Sequence, residues 1–206
     1  MAKVDYKTGT LLYPVPVLLV SCGTEDGTTN IMTAGWTGTV CTKPPMAYVS
    51  IRPDRVSHGM IRESGEFVLN LNTEKIAAAS DQCGLISASK CPDKWALTGL
   101  TKGQARHLKY APIIMESPLN IECKVQDIIH LGSHDMFLGE VVGIDVSEEY
   151  VGEDGLLHMD DAGLIAYSSR TVMGEKGSIP VGCYVKLGDV IGRYGFTAGT
   201  EDNRTH

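Results

Sequence analysis

Residues 43–58 read KPPMAYVSIRPDRVSH. The run from Pro45 to Ile51 is a strand, Arg52 points out of its end, and Pro53 breaks it. Asp54 then suits the N-cap of a helix in which Val56, Met60 and Ile61 recur at helical spacing and Gly65 supplies the stop. The first turn of that helix holds Arg55, Ser57 and His58. Free amide N–H groups at a helix start, flanked by two guanidinium groups and a hydroxyl, make an anion site. The competing reading pairs Arg52 and Arg55 with surface carboxylates such as Asp54 or Glu63.

Strands surround this corner on both sides. PVPVLLVSC (14–22) is rich in Val and Leu, and GTEDGTTN after it has the composition of a turn. NIMTAGWTGTV (30–40) reads as one strand whose Gly35 and Gly38 mark a bulge or a close approach to the backbone, leaving groups open to a flat ligand. EFVLNL (66–71) is another strand, followed by a short helix in NTEKIAAASDQCG. Residues 85–111 form a polar excursion with a little helix around Trp95. LNIECKVQDIIHLG and MFLGEVVGIDVSEEY alternate as an antiparallel pair, and GLIAYSSRTVM (163–173) is the last candidate strand before a Gly-rich tail from residue 174 onward. Many strands, few helices and short turns predict a mainly β chain, an antiparallel barrel rather than a doubly wound α/β sheet.

The totals exclude several functions. A chain of 206 residues and 43% hydrophobic composition suffices for one domain, taken here as 1–206 with its core at about 10–173. A net charge of -7 without a basic run argues against nucleic acid, and no stretch is apolar enough for a membrane span. The N-terminus lacks the apolar core of a signal peptide, so a cytoplasmic location is expected. The six cysteines form no CxxC pair, and His130 and His134, four apart in a strand-and-turn segment, do not suit one metal. VIGRYG (190–195) is no dinucleotide fingerprint, and no serine or cysteine has a nucleophile motif. From the residues alone, the reading stops at a barrel with an anionic-ligand site.

In order and spacing, NIMTAGW (30–36), KPPMAYVSIRPDRVSH (43–58), SGEFVLNL (64–71), CG (83–84), SPLNIECKV (117–125) and GSHDMFLGEV (132–141) resemble the flavin reductase-like proteins with an FMN-binding split barrel, in the branch typified by flavoredoxin. The resemblance covers roughly residues 10–170. It implies a homodimer of six-stranded antiparallel Greek-key split barrels, each binding FMN near the subunit interface. It implies that Thr33, Ala34 and Trp36 contact the ring, largely through backbone groups, and that Ser50, Ile51, Arg52, Arg55, Ser57 and His58 hold ribityl and phosphate. His134 would lie on the flavin face where an electron donor stacks, although Ser133 departs from the acidic residue usual before it; a turn histidine satisfied by Asp135 is the alternative. Asn70 either reaches the cofactor or caps its own turn, and Tyr167 either approaches the ring or packs in the core.

The activity so implied passes electrons from NAD(P)H or a redox protein, through FMN, to flavin, ferric iron or a protein acceptor. The flavin carries that chemistry, so no protein acid, base or nucleophile is required. A flavin-storing or flavin-sensing protein without turnover is the rival from another class. The pyridoxamine-phosphate-oxidase type of split barrel is a further rival whose basic substrate-binding pattern is not evident.

Overall fold

A computed structural model describes residues 1–174, 177–192 and 196. The strands are β1 (Val15–Pro16), β2 (Leu18–Gly23), β3 (Thr29–Ala34), β4 (Thr37–Thr42), β5 (Pro45–Ile51), β6 (Glu66–Leu71), β7 (Lys102–Gly103), β8 (Ile113–Ile114), β9 (Leu119–His130), β10 (Asp135–Val146), β11 (Ile165–Gly174) and β12 (Gly177–Lys186). The helices are α1 (Val56–Ser64), α2 (Ala77–Leu85) and α3 (Lys94–Thr98). None of them is long and apolar enough to cross a membrane.

The main sheet is antiparallel, with seven strands in the order β3-β2-β6-β9-β10-β5-β4, one more than the six expected. The additional count has a local cause. The predicted single strand over 30–40 breaks at Gly35–Trp36, and its two halves become the opposite edges of the sheet. Two residues span only a few ångströms, so the sheet has to curl until those edges approach. The Ser50 amide donates to the Trp36 carbonyl at 2.9 Å, which extends the β4–β5 pairing up to this seam. The mainly β split barrel expected from the sequence is therefore present, with the Gly-containing segment acting as its hinge.

Alternation fills the barrel. Along β5, Ala47, Val49 and Ile51 point inward and Met46, Tyr48 and Ser50 do not. They meet Val20, Phe67, Leu69, Cys123 and Phe137 in one buried cluster. Strand β6 is buried on both faces, because Val68 packs outward against Ala105, Leu108, Ala111 and Ile113. That outer loop is pinned by two buried carboxylates. Glu66 accepts from the Lys109 and Tyr110 amides at 2.9 and 2.8 Å, and Glu122 from the Arg106 and His107 amides at 2.9 and 2.7 Å. A third cluster, including Leu19, Ile31, Cys83 and Trp95, seats α2 and α3 against β2 and β3.

Asn70 neither caps its own turn nor reaches the site. Its amide N–H donates to the Leu19 carbonyl at 2.8 Å, and its oxygen accepts from the Ile114 amide at 3.0 Å and from Asn120 at 2.7 Å, tying three strands in the interior. The Gly-rich tail contains β12, which pairs with β11 along its length, and β1 completes a three-stranded arm. Gly177, Pro180 and Gly182 give β12 a turn-like composition, and only the partner strand reveals it. Beyond residue 192, all of the tail except Phe196 lies outside the described residues, as does the second half of VIGRYG.

One glycine is required by packing. A Cβ on Gly139, at a register shift in β10, would sit 2.8 Å from Phe67 Cζ and 3.0 Å from Cys123 Cβ. Both neighbours are fully buried. Gly139→Ala is expected to lower unfolding stability by about 1–3 kcal/mol in urea titration, the usual cost of overpacking. An unchanged midpoint would mean that the core yields there.

Candidate functional site

The seam, the arm and the start of α1 enclose a cavity of about 530 Å³. Its lining includes Thr33, Ala34, Trp36, Ser50, Ile51, Arg52, Arg55, Ser57 and His134, all but one of the residues expected from the sequence. The exception is His58. It belongs to the first turn of α1, but its buried ring turns inward, meets Phe137 edge-on at 5.0 Å, and places Nε2 2.7 Å from Asp135 Oδ2. His58 sits about 100° round the helix from Ser57, and that turn carries its ring toward Asp135.

At one end of the cavity the groups are cationic. Arg52 pairs through Nε with Asp54 at 3.4 Å, and both side chains are more than half exposed. That pairing removes Asp54 from the expected N-cap role: Arg55 occupies the cap position with extended backbone, and no side chain caps the helix. The amide end of α1 thus lies beside Arg52, Arg55 and the Ser57 hydroxyl without a competing carboxylate on its cap. The surface-pairing alternative holds for Arg52 Nε alone. Arg55 has no ion pair among the described residues.

A residue that the sequence reading missed completes this end. Lys94 lines the cavity although it is 3% exposed, and its Nζ donates to the Ile31 carbonyl at 3.0 Å and the Cys83 carbonyl at 2.9 Å. No carboxylate neutralises it among the described residues, and burial lowers its pKa from the ordinary 10.5, opposed by the nearby Cys83 thiol and assisted by the Arg55 charge. Asp93 capping α3 through the Ala96 amide was legible as a helix start, but nothing in CPDKWALT says that this lysine is buried. It is carried inward because Trp95 beside it joins the Ile31 and Cys83 cluster.

Beside Arg52, across the pairing of β5 with β10, the cavity is lined by aromatic groups. Trp36 rests on the His134 ring with centroids 4.5 Å apart. The His134 pKa is lowered, first by burial and then by the Arg52 charge, so the ring is neutral near pH 7. Ser133 Oγ is 2.9 Å from His134 Nδ1, whereas Asp135 holds His58 and His130; the turn histidine satisfied by Asp135 is not what forms. Thr33 gives its hydroxyl to the Ser80 carbonyl, which leaves its backbone as the surface offered to a ligand. Tyr167 faces the cavity from β11, edge-on to Tyr184 at 5.7 Å. Cys83 also lines it, but burial pushes its thiol up to about 11, so it is no nucleophile at neutral pH.

Those features match a known sequence family: the flavin reductase like domain matches over residues 10–163. This chain belongs to that family. Flavoredoxin of Desulfovibrio vulgaris superposes with a TM-score of 0.79 at 29% identity, covering 97% of this chain and 100% of that one. An uncharacterized protein of Aeropyrum pernix is 30% identical over 161 residues, which is 78% of this chain but 60% of that relative. NADH:riboflavin 5'-phosphate oxidoreductase of Streptomyces pristinaespiralis is 25% identical over 129 residues, 63% of this chain and 69% of the other.

The cavity of this flavin reductase-like protein fits FMN by size and by charge. Ligand sites are typically about 300–1,000 Å³. A phosphate monoester carries about -1.5 to -2 charge at neutral pH, and Arg52, Arg55 and Lys94 gather at the end where it would lie. Asn30 lines the same cavity; its Nδ2 donates to Ser57 Oγ at 2.8 Å, and its buried Oδ1 has no partner, leaving one acceptor for a ligand N–H or O–H.

Proposed function

We propose that this protein is an FMN-dependent oxidoreductase that passes electrons from NAD(P)H, or from a redox protein, to free flavin, ferric iron or a protein acceptor. The observation that carries this reading is one cavity lined by three cationic side chains, a helix amide end and the Trp36–His134 pair. Bound FMN supplies the redox centre, and no protein acid, base or nucleophile is required. Arg52, Arg55, Lys94 and Ser57 hold the phosphate and exclude its counterions. Backbone groups at Thr33 and Ala34 support the ring, and Trp36 and Tyr167 flank it. Neutral His134 borders the approach of the donor without adding charge to it. The names of the Streptomyces and Desulfovibrio relatives support a reductase and an electron carrier respectively.

The protein is further proposed to act in the cytoplasm, for which its six free cysteines are the support. It is proposed to form a homodimer through the arm and the segment after it, where Ile179, Leu187, Val190 and Ile191 are 47, 61, 86 and 95% exposed and a second copy would cover them.

An absorption spectrum of protein loaded with FMN, taken before and after anaerobic NADH and NADPH, tests the activity. Rapid bleaching by either nucleotide is expected. A yellow protein inert to both, and to reduced redox proteins, would establish storage or sensing in its place. Sedimentation of the loaded protein is expected to give a dimer; a monomer with flavin bound would exclude a shared interface.

A further inference from the structure

The cationic corner and the His134 side of the cavity come from segments far apart in the chain, the start of α1 and the turn between β9 and β10, and one carboxylate joins them. Asp135 opens β10, immediately after His134, and is 7% exposed. Its Oδ2 accepts from His58 Nε2 at 2.7 Å, and its Oδ1 accepts from His130 Nδ1 at 2.8 Å. Those two bonds, His130 first, hold the carboxyl below the usual carboxylate range, so it is ionised and both histidines turn an N–H toward it. His58 is the neighbour of Ser57 in the cationic corner, and His134 lies against Trp36. The backbone reinforces this arrangement: Asp135 pairs with Ile51 across β10 and β5, and the Leu131 amide closes the turn on the His134 carbonyl at 2.9 Å.

We infer that Asp135 is a positioning residue: through His58 it fixes the distance between the cationic corner on α1 and the ring site beside Trp36 and His134, so that one ligand spans both. This inference rests on the FMN reading above. It explains why the buried His58 lies in the anion-site segment yet faces away from the cavity. Helix α1 is short, and among the described residues no other ion pair ties it to the β9–β10 turn. Without the tie, the β5–β10 ladder still joins the two groups, but the first turn of α1 is no longer held against the β9–β10 turn, and binding by one group orients the ligand less closely for the other.

The test compares two probes, FMN and riboflavin, which share the ring and differ in the phosphate, by flavin fluorescence quenching. Wild type is expected to prefer FMN by about tenfold or more. Asp135→Asn, and independently His58→Phe, which keeps an aromatic ring against Phe137, are each expected to reduce that preference about fivefold or more while changing riboflavin affinity less than about threefold. Adding Asp135→Asn to His58→Phe should leave the ratio where His58→Phe alone puts it, because the bond through which Asp135 acts on it is already gone. A merely structural role would weaken both ligands together and leave the ratio intact; that result overturns the inference, as does loss of soluble protein in both single variants. If only one variant can be purified, its ratio decides. Wild type that binds neither flavin would refute the functional reading itself, whereas wild type that prefers FMN beside variants that do so equally would refute the positioning role alone.

Discussion

Arg52→Ala combined with Arg55→Ala is expected to weaken FMN binding about a hundredfold and to release the flavin during gel filtration, while the protein stays folded. Each charge-assisted hydrogen bond to phosphate contributes about 1.5–3 kcal/mol. Arg52 is more than half exposed and shares its Nε with Asp54, so its part falls at the low end. Two such losses come to about 3 kcal/mol, or two orders of magnitude in the dissociation constant. Neither arginine belongs to a buried cluster, and Arg55 already sits at a cap position without a side-chain bond, so the melting temperature should shift little. Stoichiometric flavin retained by the double variant would refute the phosphate assignment and with it the proposed activity.

The second large effect is expected at Lys94. Lys94→Met keeps the length of the side chain and its packing but removes the charge, and FMN affinity should fall about tenfold or more. The flavin-free protein responds differently. Two carbonyl hydrogen bonds are lost, at about 1 kcal/mol each, but a desolvated ammonium is relieved as well, so stability without flavin should change by no more than about 2 kcal/mol in either direction.

The pH dependence follows from the same burial. The folded pKa of Lys94 lies below the 10.5 of an ordinary lysine, so in the interval between the two the unfolded chain binds more protons and stability of the flavin-free protein rises with pH. FMN affinity moves oppositely. It is complete while Lys94 is charged and declines as pH rises through the depressed pKa, before 10.5 is reached. In Lys94→Met both slopes should vanish in titrations by flavin fluorescence and by urea. A pH profile of affinity that is identical in wild type and variant would remove Lys94 from the phosphate site.

Much of the site was legible because it is local. Strand β5, Pro53 and the start of α1 follow from residue spacing within 43–58, and that segment alone gathers Ser50, Arg52, Arg55 and Ser57 at one corner. Thr33, Ala34 and Trp36 were legible through two glycines that mark where the backbone is open. The errors share a cause. Asp54 has the right type for a cap, but a neighbouring guanidinium competes for it. His58 has the right position for a ligand, but a helical phase shift of one residue turns it to Asp135, 77 residues away. Asn70 reads as a strand-end turn residue and becomes an interior tie because β2 and β9 flank it on both sides. Lys94 carries no local sign of burial at all.

The sequence by itself determined most of the strands and the gathering of arginines at 51–58, because periodicity, proline and local spacing act over a few residues. Only the tertiary structure decided the seam at Gly35–Trp36, the pairing of β12, the burial of Lys94 and the inward turn of His58. Each of these depends on a partner brought close by the closing of the barrel, and spacing along the chain holds no record of that distance.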